Sequence, residues 1–323
     1  MIRAAIVGMG RWGKNMLDAV QGKSDKIKFI RGVVRHPDSV RELAEKHGIT
    51  VSSDFDAVLR DPEVDVIVLA TPHSVHKAHI LAAAAARKPV HCEKPLALTK
   101  ADAQIVVEAC RRAGVLLGVG QDKRFWPSMR ELKQVVAGGQ LGQILHIEGN
   151  LSNDISRRVY SAWRDAPAES PGASMTATGI HVLDAFVNLI GPVKSVYARA
   201  TSHQSPRPDP IDTISVLLDF ENGVTGILSS VRPTPFSFRL QVYGTEGSAE
   251  AVGENDVVIR MVGSNPRHSS LEPVNALRAE LEAFADGVTN QSTYPIPVSQ
   301  MIGTIACLEA ISISMQSNRP VNV

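Results

Sequence analysis

Lys94 is the residue of this sequence whose setting best suits proton transfer. It lies in His91-Cys92-Glu93-Lys94-Pro95, directly after a short β-rich run. The carboxyl ends of strands are where open α/β sheets bind ligands, and partial desolvation lowers the pKa of an amine towards neutrality. Lys94 could then exchange a proton with a substrate oxygen. A lysine at a strand end is also a common solvated charge, so both interpretations stay open.

A glycine-rich turn near the N-terminus has the spacing of a dinucleotide-binding loop. Gly8-Met9-Gly10-Arg11-Trp12-Gly13 matches G-x-G-x-x-G and stands between a β-rich run and a helical pattern. The first glycine permits a tight turn, the second lets the backbone approach a pyrophosphate, and the third lets helix and strand pack closely. The phosphates then lie at the helix N-terminus. We predict that these six residues bind a nicotinamide dinucleotide; the alternative is a glycine-rich turn without a ligand.

The end of the second strand indicates which dinucleotide is bound. An NAD-preferring site holds Asp or Glu there for the ribose hydroxyls, whereas this sequence has Val34-Arg35-His36-Pro37. The guanidinium of Arg35 suits a phosphate, and His36 lies beside it. We predict NADP as the cofactor, with Arg35 and His36 among its contacts. The alternative is NAD, with Arg35 a solvated loop residue and Asp38 on the ribose.

These candidates need a sheet to position them, and the first 120 residues alternate β-rich and helical patterns. This alternation predicts a doubly wound parallel sheet with helices on both faces, in a dinucleotide-binding Rossmann domain at residues 1–122. The predicted strands are 2–7, 27–34, 64–70, 89–92 and 115–119, and the predicted helices are 11–21, 38–47, 73–86 and 99–113.

The pattern changes after residue 121. Consecutive β-like runs without intervening helices predict an α+β domain at residues 123–323, built on an open and largely antiparallel sheet. Its predicted strands are 144–149, 193–200, 211–220, 223–231, 236–243, 249–252 and 257–261, and its predicted helices are 126–136, 175–190, 275–288 and 298–317. We expect this domain to bind the substrate and to form oligomers.

Composition restricts the classes of partner. The 323 residues carry 34 Lys plus Arg against 33 Asp plus Glu, so there is no basic field to attract nucleic acid or anionic lipid. No apolar run approaches the length of a membrane span, and the run at 2–7 is too short for a signal peptide. Three widely spaced cysteines favour a reducing compartment. We expect a cytoplasmic protein with a small-molecule substrate, and neither a nucleic-acid nor a membrane partner nor a metal.

Four segments together resemble the glucose–fructose oxidoreductase, inositol dehydrogenase and rhizopine-catabolism (Gfo/Idh/MocA) family. They are the glycine loop, Ala70-Thr71-Pro72-His73-Ser74-Val75-His76, Glu93-Lys94-Pro95 and Gly179-Ile180-His181-Val182-Leu183-Asp184. The resemblance implies that Lys94 is the proton-relay residue, that the Lys94–Pro95 bond is cis, and that a homodimer or homotetramer forms through the C-terminal sheet. The cofactor contacts that it implies are Thr71, Pro72, His73, His76, Glu93, Lys94 and Gln121.

The resemblance also implies that His181 faces the substrate, although a histidine in an apolar helix is often a core residue. Relatives with the fuller D-x-G-x-H pattern carry an Asp where this sequence has Ala177, so an ionisable partner for the lysine is missing. The loop around Trp163 and Arg164 holds three arginines, which suit an anionic group. The alternative is that the arginines, Arg157 and Arg158 above all, are surface charges and that Trp163 is a core residue. The candidate substrate contacts are Arg124, Trp163, Arg164, Thr178 and His181.

The leading hypothesis is an NAD(P)-dependent oxidoreductase that acts on a sugar derivative or a cyclic hydroxy or oxo acid. Two alternatives share the fold: a glycosidase that retains its NAD, and a non-catalytic sensor that keeps a dinucleotide. The presence of Lys94 and His181 argues against the sensor.

Overall fold

A computed structural model of the protein describes residues 1–154, 163, 166, 168–202 and 211–323. The chain forms two compact units. The first contains Met1–Asp122 and Asn275–Met301, and the second contains Lys123–Val274 and Ile302–Val323. The division after residue 122 coincides with the predicted one, but Asn275–Met301 packs with the first unit, whereas the sequence places it in one continuous second domain.

The described strands and helices follow the predicted alternation. The strands are β1 Ile2–Val7, β2 Ile27–Val33, β3 Thr50–Ser52, β4 Val66–Leu69, β5 Val90–Glu93, β6 Leu117–Gly120, β7 Ile144–Ser152, β8 Val193–Thr201, β9 Thr213–Phe220, β10 Thr225–Val231, β11 Ser237–Gly244, β12 Gly247–Val252, β13 Asp256–Met261, β14 Arg267–Ser270 and β15 Val321–Asn322. The helices are α1 Arg11–Val20, α2 Arg41–His47, α3 Phe55–Arg60, α4 His76–Ala85, α5 Lys100–Ala113, α6 Pro127–Ala137, α7 Ile180–Leu189, α8 Ala276–Val288 and α9 Val298–Ser317.

The sheet of the first unit is parallel, with strand order β3-β2-β1-β4-β5-β6. Strands β4, β5 and β6 are buried along their whole length, as expected for a parallel sheet covered on both faces. The order reverses between β1 and β4, and ligands of such sheets bind beyond the carboxyl ends at this switch point. The predicted doubly wound fold is confirmed.

The returning segment Asn275–Met301 completes the first unit at β6, which is the last strand of the sheet. The hydroxyl of Tyr294 accepts a hydrogen bond from Val119 N–H at 3.2 Å and donates one to the Val119 carbonyl at 3.0 Å. Phe284 of α8 packs edge-on against His91 of β5. Backbone groups at the edge of the sheet therefore find partners in a segment about 175 residues further along the chain.

The second unit is built on a sheet with strand order β14-β13-β12-β11-β7-β10-β9-β8-β15. All its neighbouring pairs are antiparallel except β7 with β10, which confirms the predicted largely antiparallel sheet. Helices α6 and α7 pack on one face, where Gly149 leaves the space that Val182 and Phe186 occupy. The opposite face exposes Leu217 of β9 and, directly across from it on β10, Ile227.

The predicted elements are recovered within a few residues, and the differences are local. The short elements β3, α3, β14 and β15 are not predicted, because two to six residues carry too little periodicity to recognise. The predicted helix at 175–190 begins with a π-helical turn at Met175–Gly179 before α7 continues it.

Helix α9 corrects one expectation about apolar segments. Among the described residues it is long and apolar enough to cross a membrane, by length and composition only. About half of its apolar window, 56%, is buried inside the structure, and core helices pass the same test, so this is weak evidence for a span.

Candidate active site

The glycine loop has the geometry that a phosphate-binding turn requires. Gly8 has φ +92°, and a Cβ there would lie 2.5 Å from the Ala70 carbonyl oxygen. A Cβ at Gly13 would collide with the Gly8 carbonyl, so a side chain is excluded there as well. No atom lies within 4 Å of a Cβ built on Gly10, so the backbone is open at the start of α1. The first turn of α1 has no acidic residue, and an anion can approach its N–H groups.

The side chains of the loop point in different directions. Met9 is buried and packs its sulfur over Gly32 of β2. Arg11 is exposed, with its guanidinium carbon 6.0 Å from the centre of the Trp12 ring. The Trp12 indole N–H donates a hydrogen bond to Oε1 of Glu93, at the end of β5. The loop is therefore joined to the segment that carries Lys94.

The tip of β2 leaves Arg35 available. Both Arg35 and His36 are exposed, and the Arg35 side chain makes no hydrogen bond or ion pair with any residue that the structure describes. Asp38, the alternative ribose ligand, forms an ion pair with Arg41. The geometry is compatible with the predicted phosphate contact of Arg35.

The turn after β4 is fixed by His76. This side chain is fully buried, with Nδ1 2.8 Å from the Pro95 carbonyl oxygen and Nε2 3.0 Å from the Thr71 carbonyl oxygen. His73 is also buried and lies edge-on to His76, with 5.8 Å between ring centres. His76 thus connects the turn after β4 to the turn after β5. It holds Thr71 and Pro72 in position from within.

Glu93 and Lys94 occupy the turn at the end of β5, where the Lys94–Pro95 bond is cis, as the resemblance implies. Glu93 is 7% exposed, and its Oε2 accepts the Lys94 backbone N–H at 3.2 Å. Burial raises the pKa of Glu93 to about 7, opposed by the positive charge of Lys94 and by the Trp12 hydrogen bond. Lys94 itself is half-buried.

Gly120, the last residue of β6, borders this turn. A Cβ at Gly120 would lie 2.8 Å from Oε1 of Glu93, so only glycine leaves room for the carboxyl. Gln121 follows directly and is 3% exposed. Gly118 similarly admits the rings of His91 and Phe284. Neither Gly120 nor the Trp12–Glu93 contact was identified from the sequence.

His91, two residues before Glu93, is a core residue rather than a site residue. It is fully buried between Phe284 and Glu280, with Nε2 3.9 Å from Oε2 of Glu280. Burial lowers the pKa of His91 to about 3, so its ring is neutral at physiological pH. The group of β5 that titrates near neutrality is therefore Glu93.

The second unit places its predicted site residues around the start of α7. Thr178 and His181 are 4% and 8% exposed, and the Asn153 amide donates to the Thr178 hydroxyl at 3.3 Å. Thr176 accepts the Gly172 N–H at 2.9 Å. No side chain of Thr176-Ala177-Thr178 can serve as a carboxylate base.

Arg124 has a partner that the sequence did not reveal. Its guanidinium binds both oxygens of Asp184, at 2.6 Å from Nε and 2.7 Å from Nη2, and both side chains are almost fully buried. The Thr304 hydroxyl is 3.4 Å from the same carboxylate. Arg124, a predicted substrate contact, is thus engaged in anchoring α7.

The other predicted substrate contacts are only partly visible. Trp163 is half-buried. Arg164, with Arg157 and Arg158, lies outside the described residues. In the part of the chain that the structure describes, no group of three or more His, Cys, Asp or Glu side chains could hold a metal ion.

Comparison with known proteins gives a consistent result. Residues 2–121 match the "Oxidoreductase family, NAD-binding Rossmann fold", and residues 129–250 match the "GFO/IDH/MocA C-terminal domain". Myo-inositol 2-dehydrogenase of Thermotoga maritima is 29% identical over 80% of this chain and 78% of its own. The scyllo-inositol 2-dehydrogenase (NAD(+)) of Bacillus subtilis is 27% identical over 76% and 72%. The aldose-aldose oxidoreductase of Caulobacter crescentus superposes with a TM-score of 0.88 at 25% identity, over 100% of this chain and 99% of its own.

Proposed function

Because the chain belongs to the Gfo/Idh/MocA family of oxidoreductases, we propose that it oxidises or reduces a small polar substrate, such as a sugar derivative or a cyclic hydroxy or oxo acid. The observation that carries the proposal is the open backbone at Gly10, at the N-terminus of α1 and the switch point of the sheet. The bound nicotinamide ring would supply or accept the hydride. The protein must therefore supply the binding site and a proton.

We propose Lys94 as the group that exchanges this proton. Its ammonium can protonate a carbonyl oxygen during reduction, and its amine can accept a hydroxyl proton during oxidation. Lys94→Met should lower turnover by about 100-fold or more while cofactor affinity stays within a few-fold. Lys28→Met is the matched control, because Lys28 is an exposed lysine near the amino end of β2, at the edge of the sheet away from Lys94. It should change neither turnover nor cofactor affinity. Near-normal turnover in Lys94→Met with a verified substrate would reject this assignment.

We propose NADP as the preferred cofactor, with Arg35 on the 2′-phosphate. The exposed Arg35 side chain supports this, as does the ion pair that Asp38, the alternative ribose ligand, makes with Arg41. Arg35→Asp should reverse the ratio of NADPH to NADH dissociation constants, because a cation that attracts phosphate becomes an anion that repels it. Lys28→Asp makes the same change of charge at the far end of β2 and should leave the ratio unchanged. Equal affinities in the unmodified protein would eliminate the preference.

On the substrate side we propose Thr178, His181, Trp163 and Arg164 as contacts, and reduction of an anionic oxo substrate as the favoured reaction. Arginine binds a carboxylate bidentately, and a protonated Lys94 can act as the acid. The named relatives act on inositols and aldoses, so matched panels of oxo-acids and neutral oxo-sugars are needed. Arg164→Ala should reduce kcat/KM for the acids selectively. A preference for neutral sugars that survives this substitution would exclude the anionic substrate.

We also propose a homodimer or homotetramer through the open face of the second sheet, in a cytoplasmic protein. Leu217 and Ile227 are exposed side by side on that face, and the three cysteines are all buried and unbridged. Leu217→Glu should lower the mass measured by analytical ultracentrifugation. Ile105→Glu, on α5, introduces the same charge at another exposed apolar residue and should leave the mass unchanged.

A further inference from the structure

Glu93 is bonded to the glycine loop and to the Lys94 turn at the same time. Its Oε1 accepts the indole N–H of Trp12, and its Oε2 accepts the backbone N–H of Lys94 at 3.2 Å. Trp12 is 81 residues away in sequence and lies in the first turn of α1. These bonds hold the carboxyl in one orientation, and Gly120 provides the space for it. Both donors are neutral, so neither compensates a negative charge as a guanidinium would.

The charged and titratable groups that act on Glu93 come from its own segment and from the one that follows β6. Lys94, next along the chain, stabilises its anion, and Asp122, just after β6, opposes it. Cys92, the preceding residue on β5, is a buried thiol whose pKa is raised, first by burial and then by the charge of Glu93. The neutral ring of His91 faces Glu280 instead. Among the charges that act on this carboxyl, that of Lys94 has the largest effect.

We propose that Glu93 is a positioning and tuning residue whose negative charge sets the protonation state of Lys94, and that Trp12 holds this carboxylate in place from the glycine loop. The proposal rests on the proposed function, because it gives Lys94 its proton-exchange role. A carboxylate beside a lysine favours the ammonium form, and burial strengthens the interaction. The charge of Glu93 changes near pH 7, so the acid strength of Lys94 responds to a group that is fixed to the cofactor loop.

The contact between Trp12 and Glu93 can be observed without substrate or cofactor. ¹⁵N-labelled protein should give one indole N–H signal for each of Trp12, Trp126 and Trp163, and the signal lost in Trp12→Phe identifies Trp12. The Trp12 signal should shift with pH, with a midpoint near 7, and Glu93→Gln should abolish that shift. Trp126, which contacts Phe238 and Lys123, is the internal control and should not follow the same curve. A Trp12 signal that neither titrates nor differs between Glu93→Gln and the unmodified protein would overturn the proposal.

The second experiment measures how kcat/KM depends on pH. Glu93→Gln removes a negative charge near Lys94, so the limb assigned to Lys94 should move to lower pH by about 1 unit, the lower end of the usual effect of a close charge. Trp12→Phe removes a donor that favours the carboxylate and should move the limb in the same direction by less. Glu93→Asp keeps the charge and should restore the position of the limb.

Glu108→Gln is the matched control, because Glu108 is a carboxylate on the surface of α5 that pairs with Arg111 and Arg112. Its profile should superimpose on that of the unmodified protein. A Glu93→Gln profile that is scaled in rate but unmoved in pH would overturn the tuning role. Failure of the unmodified protein to bind NADH or NADPH, measured by fluorescence, would reject the proposed function. The indole titration needs no cofactor, so it still tests the contact between Trp12 and Glu93. If Glu93→Gln does not fold, the titration of the unmodified protein and the Trp12→Phe profile decide the matter.

Discussion

Asp184 in the second unit and Glu93 in the first are both almost fully enclosed, yet the donors that face them differ in kind. Asp184 receives two hydrogen bonds from the guanidinium of Arg124, which is always charged. Glu93 receives its hydrogen bonds from an indole and a backbone amide, both neutral. The guanidinium compensates the buried negative charge of Asp184 directly, whereas at Glu93 the neutral donors leave burial free to raise the pKa. The first arrangement serves structure, and the second allows a change of charge near neutral pH.

The largest effect should come from breaking the ion pair. Asp184→Ala leaves the Arg124 charge buried without its carboxylate, so the free energy of unfolding should fall by about 3–5 kcal/mol. Urea denaturation of the full chain measures this loss. Asp219→Ala, which removes an exposed carboxylate from β9, should change stability by no more than about 0.5 kcal/mol. Equal losses in the two variants would mean that Asp184 is not an anchor.

Glu93→Gln should produce a somewhat smaller effect that depends on pH. The folded-state pKa of Glu93, about 7, lies above the ordinary glutamate value, so its contribution to stability is complete in acid and is lost as pH rises through 7. The difference in free energy of unfolding between Glu93→Gln and the unmodified protein should therefore shift by about 3 kcal/mol in favour of Glu93→Gln between pH 4 and pH 8.5. Denaturation curves at a series of pH values test this. Parallel stability profiles for the two proteins would show that Glu93 titrates normally.

The smallest effect should come from crowding Glu93 without changing its charge. Gly120→Ala places a methyl group 2.8 Å from Oε1, so the carboxyl must move, at a cost of about 1–3 kcal/mol. The midpoint of the Trp12 indole titration should move as well, because the hydrogen bond is disturbed. Gly303→Ala in α9 meets no atom closer than 3.8 Å and should not destabilise the protein. An unchanged indole titration in Gly120→Ala would show that the carboxyl is held less tightly than we infer.

The sequence predicts contiguous motifs well, and it does not predict the contacts of the two buried carboxylates. The glycine loop could be predicted because its three glycines, the preceding strand and the following helix are contiguous. The bonds from Trp12 to Glu93 and from Arg124 to Asp184 join residues 81 and 60 positions apart, so they depend on the strand order and helix packing of each unit. The sequence therefore predicts Arg124 as a substrate contact, and its ion pair with Asp184 becomes evident only in the folded chain.

The sequence likewise predicts where the first unit is interrupted but not that a later segment returns to it. The change from alternating elements to consecutive strands marks the division after residue 122. The pattern of α8 predicts a helix, but its apolar face does not specify which sheet it covers. That choice depends on groups such as Val119 and His91, which lie far back in the chain.

The returning segment also has a consequence for the order of events during synthesis. Residues 1–122 are synthesised before α8, which begins about 150 residues later, and before Tyr294, which follows about 170 residues later; this delay corresponds to roughly 8–35 s of translation at ordinary rates. Until then, Val119 at the edge of β6 lacks its final hydrogen-bond partner. The dinucleotide-binding unit contains residues on both sides of 123–274, so it can be completed only after that stretch has been made.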